Sequence, residues 1–294
     1  MDTWEKQFQI ALQKNDLLGA ITILEGRNKF TGTPPGSDKV RALVVLQSLI
    51  SNEDEAQEWA HRLLNSQSAA ARDLGTMLVI TFIGSFFRQQ PQPAEQLALR
   101  IADDPHWEIR EWADSLLLNI LKADFNPGLA LLRKWREHSS QNIRRAVVVA
   151  VKKAAKEGKP DWGDLLLDLL EPLLADRSEY VRKNLGPFAI GDGLLRYYPQ
   201  HTLEHLDRWA ESSNEQVRWN VAMVFSAAEG AKHPEAALSI LERLATDERR
   251  YVWRAVATAL RNLVRRMPER VKPILEEWRT DDVRIRVAEE VLKG

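Results

Sequence analysis

The stretch Ser139-Ser-Gln-Asn-Ile-Arg-Arg-Ala-Val-Val-Val-Ala150 holds three features in a fixed order: a capping-type residue, a β-branched anchor followed by Arg, and an apolar run. A serine or aspartate oxygen can accept from the orphan N–H groups of a helix start, so the order reads as turn, then helix. The same order recurs along the chain. The anchors are Val40-Arg41, Leu74, Ile109-Arg110, Ile143-Arg144, Val181-Arg182, Val217-Arg218, Val252 and Ile285-Arg286, with gaps of 34, 35, 34, 38, 36, 35 and 33 residues. About five residues before the later anchors stand Asp104, Ser139, Asp176, Ser212, Asp247 and Asp281. Further back, Pro93, Pro127, Pro160, Pro199, Pro234 and Pro268 precede a second apolar-periodic stretch. Proline suits a first helical turn, where its missing N–H is not needed.

Each unit is thus two helices in about 35 residues, and stacked units of that kind make an α-solenoid. The pattern of Asp followed by Val/Ile-Arg resembles HEAT repeats. The expected fold is all-α: about eight HEAT-like helical hairpins in a curved array with a concave groove. Residues 1–294 read as a single repeat domain, with an N-terminal helical pair over 1–30, a loop over 31–38 and the array over 39–294. No stretch reads as a strand run.

The chain has no cysteine and ten tryptophans. That excludes a disulfide scaffold, a Cys-ligated zinc site, an iron–sulfur centre and a thiol nucleophile. No apolar run approaches the ~20 residues that span a bilayer. The N-terminus lacks the basic-then-apolar layout of an export signal. The expectation is a cytoplasmic monomer without membrane contact. Lys plus Arg total 41 and Asp plus Glu 42, so net charge argues against indiscriminate nucleic-acid binding but leaves a local basic face open. His201-Thr-Leu-Glu-His205 matches an H-x-x-E-H zinc pattern. The apolar face Leu203, Leu206 and Trp209 would leave His201, Glu204, His205 and Arg208 on the solvated side, so no metal and no cofactor is expected.

In a repeat array each position has a fixed address. Eight places before the anchor lie Ile101, Trp135, Leu173, Trp209 and Leu244, with Trp278 one place off, and this column reads as core. The Arg after the anchor recurs in six of eight units and reads as a ladder between neighbouring repeats. Two places after the anchor the column is Ala42, Thr76, Glu111, Arg145, Lys183, Trp219, Arg254 and Val287, bland at the ends and charged or aromatic in the middle. The same helices carry Lys152, Lys153, Lys156, Arg261, Arg265 and Arg266. Ordinary solvated helix faces would look the same one cation at a time, but convergence on one groove could hold a phosphate backbone. Trp107, Trp219 and Trp253 sit where sibling repeats have polar residues, which marks them as candidate exposed aromatics.

The segment Asp104-Pro-His-Trp-Glu-Ile-Arg-Glu-Trp-Ala113 is similar to the first site helix of the bacterial HEAT-repeat DNA alkylation-repair glycosylases, the AlkD-like and AlkC-like proteins. Leu132-Arg-Lys-Trp135 with Asn142-Ile-Arg-Arg-Ala146, and Glu179-Tyr-Val-Arg-Lys-Asn-Leu-Gly-Pro-Phe188, resemble two further family helices. The resemblance covers roughly residues 90–270. It implies a Trp and a carboxylate one turn apart at the reacting nucleoside, here Trp107 and Glu111, and a backbone-binding Arg at Arg145. It departs in that Glu111 replaces an Asp, and Pro187, with Phe188 beside it, replaces a second aromatic. The implied partner is duplex DNA with alkylated bases. The implied reaction is hydrolysis of the N-glycosidic bond of N3- or N7-alkylated purines, with a carboxylate-stabilised oxocarbenium ion and no deep base-flipping pocket. Expected DNA contacts are Arg145, Lys183, Lys152, Lys156, Trp219, Arg254 and Arg261. The competing reading is a non-catalytic HEAT scaffold that binds a protein partner, or DNA without glycosylase activity.

Overall fold

The computed structural model describes residues 3–293, and among them every regular element is helical. The helices fall into two compact units, one through Ala130 and one from Leu131, where the sequence reads as one uninterrupted array. The N-terminal unit contains α1 (Thr3–Gln13), α2 (Leu17–Glu25), α3 (Gly36–Gln47), α4 (Glu53–Leu64), α5 (Ala69–Gln89), α6 (Pro91–Ala102), α7 (Trp107–Glu111) and α8 (Ala113–Ala123). The division falls inside α9 (Phe125–Trp135). The C-terminal unit contains α10 (Gln141–Ala155), α11 (Gly163–Leu170), α12 (Glu179–Arg182), α13 (Leu195–Tyr197), α14 (Pro199–Ala210), α15 (Glu215–Val224), α16 (Pro234–Ala245), α17 (Arg250–Arg266), α18 (Pro268–Trp278) and α19 (Ile285–Leu292).

The hairpin grammar is realised as expected through most of the chain. Pro199, Pro234 and Pro268 each occupy the first position of their helix. The anchors Leu74, Ile109, Ile143, Val181 and Val252 are buried. In the C-terminal unit the second helices of successive hairpins lie side by side: α10 against the segment Leu185–Leu194, that segment against α15, α15 against α17, and α17 against α19. The end repeats break the register. Val40 is 54% and Ile285 37% exposed, and the inward stripes are Ala42, Val45 and Leu46 in α3 and Val287, Ala288 and Val291 in α19. The inward face of α3 is set by α1 and α5, so its stripe is offset by two residues from the repeat pattern.

The aspartates before the anchors are not the helix caps, which are His106, Ser178 and Arg249. Asp104, Asp176 and Asp247 each accept the N–H two residues on, closing an Asx turn. Each also receives an arginine from the preceding hairpin: Arg72 at 2.8 Å, Arg144 at 2.6 Å and Arg218 at 2.8 Å. Of the recurring arginines, Arg144 and Arg218 therefore bridge repeats through these aspartates and Arg286 through the Asp247 carbonyl, whereas Arg110 and Arg182 donate to carbonyls of their own repeat; Arg72, which precedes its anchor, fills the place at Asp104. The caps of α10 and α15 are Ser140 and Asn214, one and two places beyond the expected Ser139 and Ser212.

Three further findings revise the sequence reading. Helix α5 is long and apolar enough by length and composition to cross a membrane, but 72% of its apolar window is buried, packed against α4 and α8 as a core helix. His205 is buried rather than solvated, with Nε2 3.2 Å from Asp168 and its Nδ1–H donating to the His201 carbonyl; α14 turns this face onto α11. Leu185–Leu194 is a π-helix. Pro187 supplies no N–H and its ring crowds the carbonyl four back, and the Ala189 N–H reaches the Asn184 carbonyl five back at 3.2 Å. Gly191 and Gly193 make the wide turn packable: a Cβ on Gly191 would lie 2.7 Å from Ala227 Cβ and one on Gly193 3.2 Å from Lys152.

Candidate functional site

In the N-terminal unit, Trp107 opens α7 and Glu111 ends it, so the two share one helix face at i, i+4 spacing. Both are exposed, Trp107 at 52%. The Trp107 ring stacks on His106, with centroids 6.5 Å apart and planes at 17°. The helix that presents them is held from behind. Trp112 donates its indole N–H to the fully buried Asp73 at 2.7 Å, and Lys39 bridges Asp73 at 2.5 Å and Glu108 at 3.0 Å. Burial alone would lower the Lys39 pKa; its bonds to Asp73 and Glu108 more than offset that and raise it. Burial alone would raise Glu108, but hydrogen bonds from Thr33, Lys39 and Thr31 hold it below the usual carboxylate range. The His106 Nε2–H donates to the Thr31 carbonyl at 2.7 Å. The long polar loop thus pins α7 through His106 and Glu108, a role with no signal in the sequence.

In the C-terminal unit, Arg145 and Lys183 converge on the ring of Tyr180, at 5.0 and 5.2 Å from its centroid. Arg144, one residue earlier on α10, points the other way into the Asp176 pair. Lys152 lies 3.3 Å over the Phe188 ring. Burial lowers its pKa, with Asp192 opposing and Lys156 adding to the shift. Lys156 is exposed at the end of α10. Trp219 and Tyr251 stack nearly parallel, with centroids 5.6 Å apart and planes at 12°. They line an open groove of about 430 Å³ with Met223, Arg250 and Arg254. Arg254 is half-exposed and 3.6 Å from Glu290. Arg261 is engaged: it donates to the Glu290 carboxylate at 2.8 Å and the Glu290 carbonyl at 2.7 Å, tying α17 to α19. Trp253 is half-buried, with Arg286 at 6.0 Å from its ring.

The structure therefore groups Arg145 with Lys183, Lys152 with Phe188, and Trp219 with Arg254, and sets Trp107 beside Glu111. Sequence reasoning missed Tyr180 and Tyr251. Both stand one place before their anchors, where other repeats have Glu108, Asn142 and Gln216. The address logic that selected Trp219 would have found them in that neighbouring column. Among the described residues no cluster of His, Asp and Glu could hold a metal ion.

The family profile described as DNA alkylation repair enzyme matches residues 37–188 and 187–289. The chain belongs to this DNA alkylation repair family. None of the curated proteins matches it. Among solved structures, smu.31 from Streptococcus mutans UA159 is similar at 19% identity, covering 68% of this chain and 98% of that one with a TM-score of 0.53. A computationally designed armadillo repeat protein for modular peptide recognition is similar at 21% identity, covering 73% and 97%, with a TM-score of 0.34. At such identities the smu.31 likeness concerns the fold alone. Family membership and the helical-repeat architecture agree with the resemblance read from Asp104–Ala113.

Proposed function

We propose that this family member binds duplex DNA and releases cationic N3- or N7-alkylated purines by hydrolysis of the N-glycosidic bond. The observation that carries the reading is the exposed Trp107–Glu111 pair on one face of a helix anchored by Asp73, Lys39 and Glu108. An alkylated purine is already cationic and a good leaving group, so little acid catalysis is needed. The Glu111 carboxylate stabilises the positive charge that develops on the sugar as the bond breaks and orients the attacking water. The Trp107 indole packs on the deoxyribose or on the cationic base. In the C-terminal unit Arg145, Lys183, Lys152 and Lys156 hold phosphates, with Trp219 and Arg254 adding contacts, and Arg261 serves the fold through Glu290.

Release of 7-methylguanine from methylated DNA tests the assignment. Glu111→Gln keeps shape and removes charge, and the expected loss in rate is roughly a hundredfold. Release at the wild-type rate would remove Glu111 from the mechanism. Fluorescence anisotropy with duplex DNA over a salt series tests binding separately; affinity falls steeply with salt, and no binding at about 50 mM salt would sink the reading.

A further inference from the structure

The groove on α15 and α17 has a construction that phosphate binding does not require. Trp219 and Tyr251 come from neighbouring hairpins and stack nearly face to face, and the Tyr251 hydroxyl donates to Gln216 at 2.8 Å, which fixes the ring. Both rings line the groove, together with Met223 and Ala255. Two guanidiniums stand at its side one helical turn apart on α17. Arg250 is exposed and has no partner among the described residues, and Arg254 shares Glu290 only at 3.6 Å. At about 430 Å³ the groove falls within the roughly 300–1,000 Å³ typical of small-ligand sites. A planar apolar wall flanked by two cations complements a planar base that carries a phosphate. A duplex shows its bases only by their edges, so stacking here requires a nucleotide out of the helix.

We propose that this groove binds one unpaired nucleotide of DNA, its base stacked on the Trp219–Tyr251 pair and its phosphate against Arg250 and Arg254. The proposal rests on the DNA-binding reading above and deepens it. The chain would favour DNA with an unpaired nucleotide over the intact duplex. No residue of the Trp107–Glu111 helix lines the groove. Stacking one base on an aromatic side chain is worth about tenfold in affinity.

A duplex with a single bulged 2-aminopurine, compared with the same fluorophore paired in an intact duplex, tests this on the full chain. The expected result is about tenfold tighter binding of the bulged duplex and quenching of its fluorophore on binding, with no quenching of the paired one. Trp219→Ala should abolish the quenching. Arg250→Glu, at an exposed side chain without a fold partner, should weaken the bulged duplex by at least about fivefold while the helical circular dichroism stays unchanged. Equal affinities with an unquenched fluorophore would overturn the proposal, even if salt-sensitive duplex binding persisted. Quenching of the bulge without measurable binding to intact duplex would keep the groove and remove the duplex reading. Equal quenching of free 2-aminopurine deoxyriboside monophosphate at the same concentration would assign the groove to a small nucleotide and overturn its occupation by DNA.

Discussion

Arg144 and Arg145 are adjacent in sequence, yet Arg144 runs into the fold to Asp176 while Arg145 lies over the Tyr180 ring. The difference is one residue of helix, about 100° of rotation. Hydrogen bonding to Asp176 raises the Arg144 pKa against the opposing effect of burial, and both partners are almost fully buried. Removing one partner of such a pair strands the other charge. Arg144→Ala should lower stability by about 3–5 kcal/mol in urea unfolding, whereas Arg270→Ala, which opens the exposed pair with Glu235, should leave the midpoint unchanged. Asp247 offers a test in acid. Burial alone would raise its pKa, but Arg249 and Arg218 more than offset this and hold it below the usual carboxylate range. A carboxylate lowered on folding stabilises in full above its unfolded pKa of about 4, and that contribution disappears as pH falls through the folded value. The gap in melting temperature between wild type and Asp247→Asn should therefore be wide at pH 7 and narrow below about pH 3.

At the scale of the element, the π-helix Leu185–Leu194 shows how local chemistry reshapes a repeat. Pro187 removes one backbone donor, and the glycines let the wider turn approach its neighbours. Gly191→Ala would place a methyl 2.7 Å from Ala227 Cβ and 2.9 Å from the Val224 carbonyl, a backbone contact that cannot swing aside. The expected loss is about 1–3 kcal/mol in urea unfolding. Gly36→Ala, at the open first position of α3, has nothing within 4 Å and should be neutral or slightly stabilising. Helix α7 makes the complementary point. Five residues cannot hold a helix alone. Its place depends on His106 and Glu108 gripping Thr31 and Thr33, in a loop more than 70 residues earlier in the chain.

For the whole molecule, a net charge of −1 means that attraction to DNA must come from local cations. Arg145 and Lys183 meet at the Tyr180 ring, so Arg145→Ala with Lys183→Ala should weaken duplex binding and flatten its log–log salt slope by about two. A slope equal to wild type would show that neither side chain meets a phosphate. The sequence by itself determined the helical hairpins, their period, the buried Trp135, Trp209 and Trp278, and the bridges that Arg144 and Arg218 make between repeats. These follow from periodicity, because every repeat must solve the same burial problem. It also determined that Trp107 and Glu111 share a face, which helical spacing alone dictates. Only the tertiary structure decided which cations are occupied, with Arg261 bound to Glu290, and which aromatics stand beside the rest. Tyr180 reaches Arg145 and Tyr251 reaches Trp219 across some 35 residues of chain, from one hairpin to the next. Such contacts depend on side-chain rotamers at the junction of two repeats, and no single repeat contains that information.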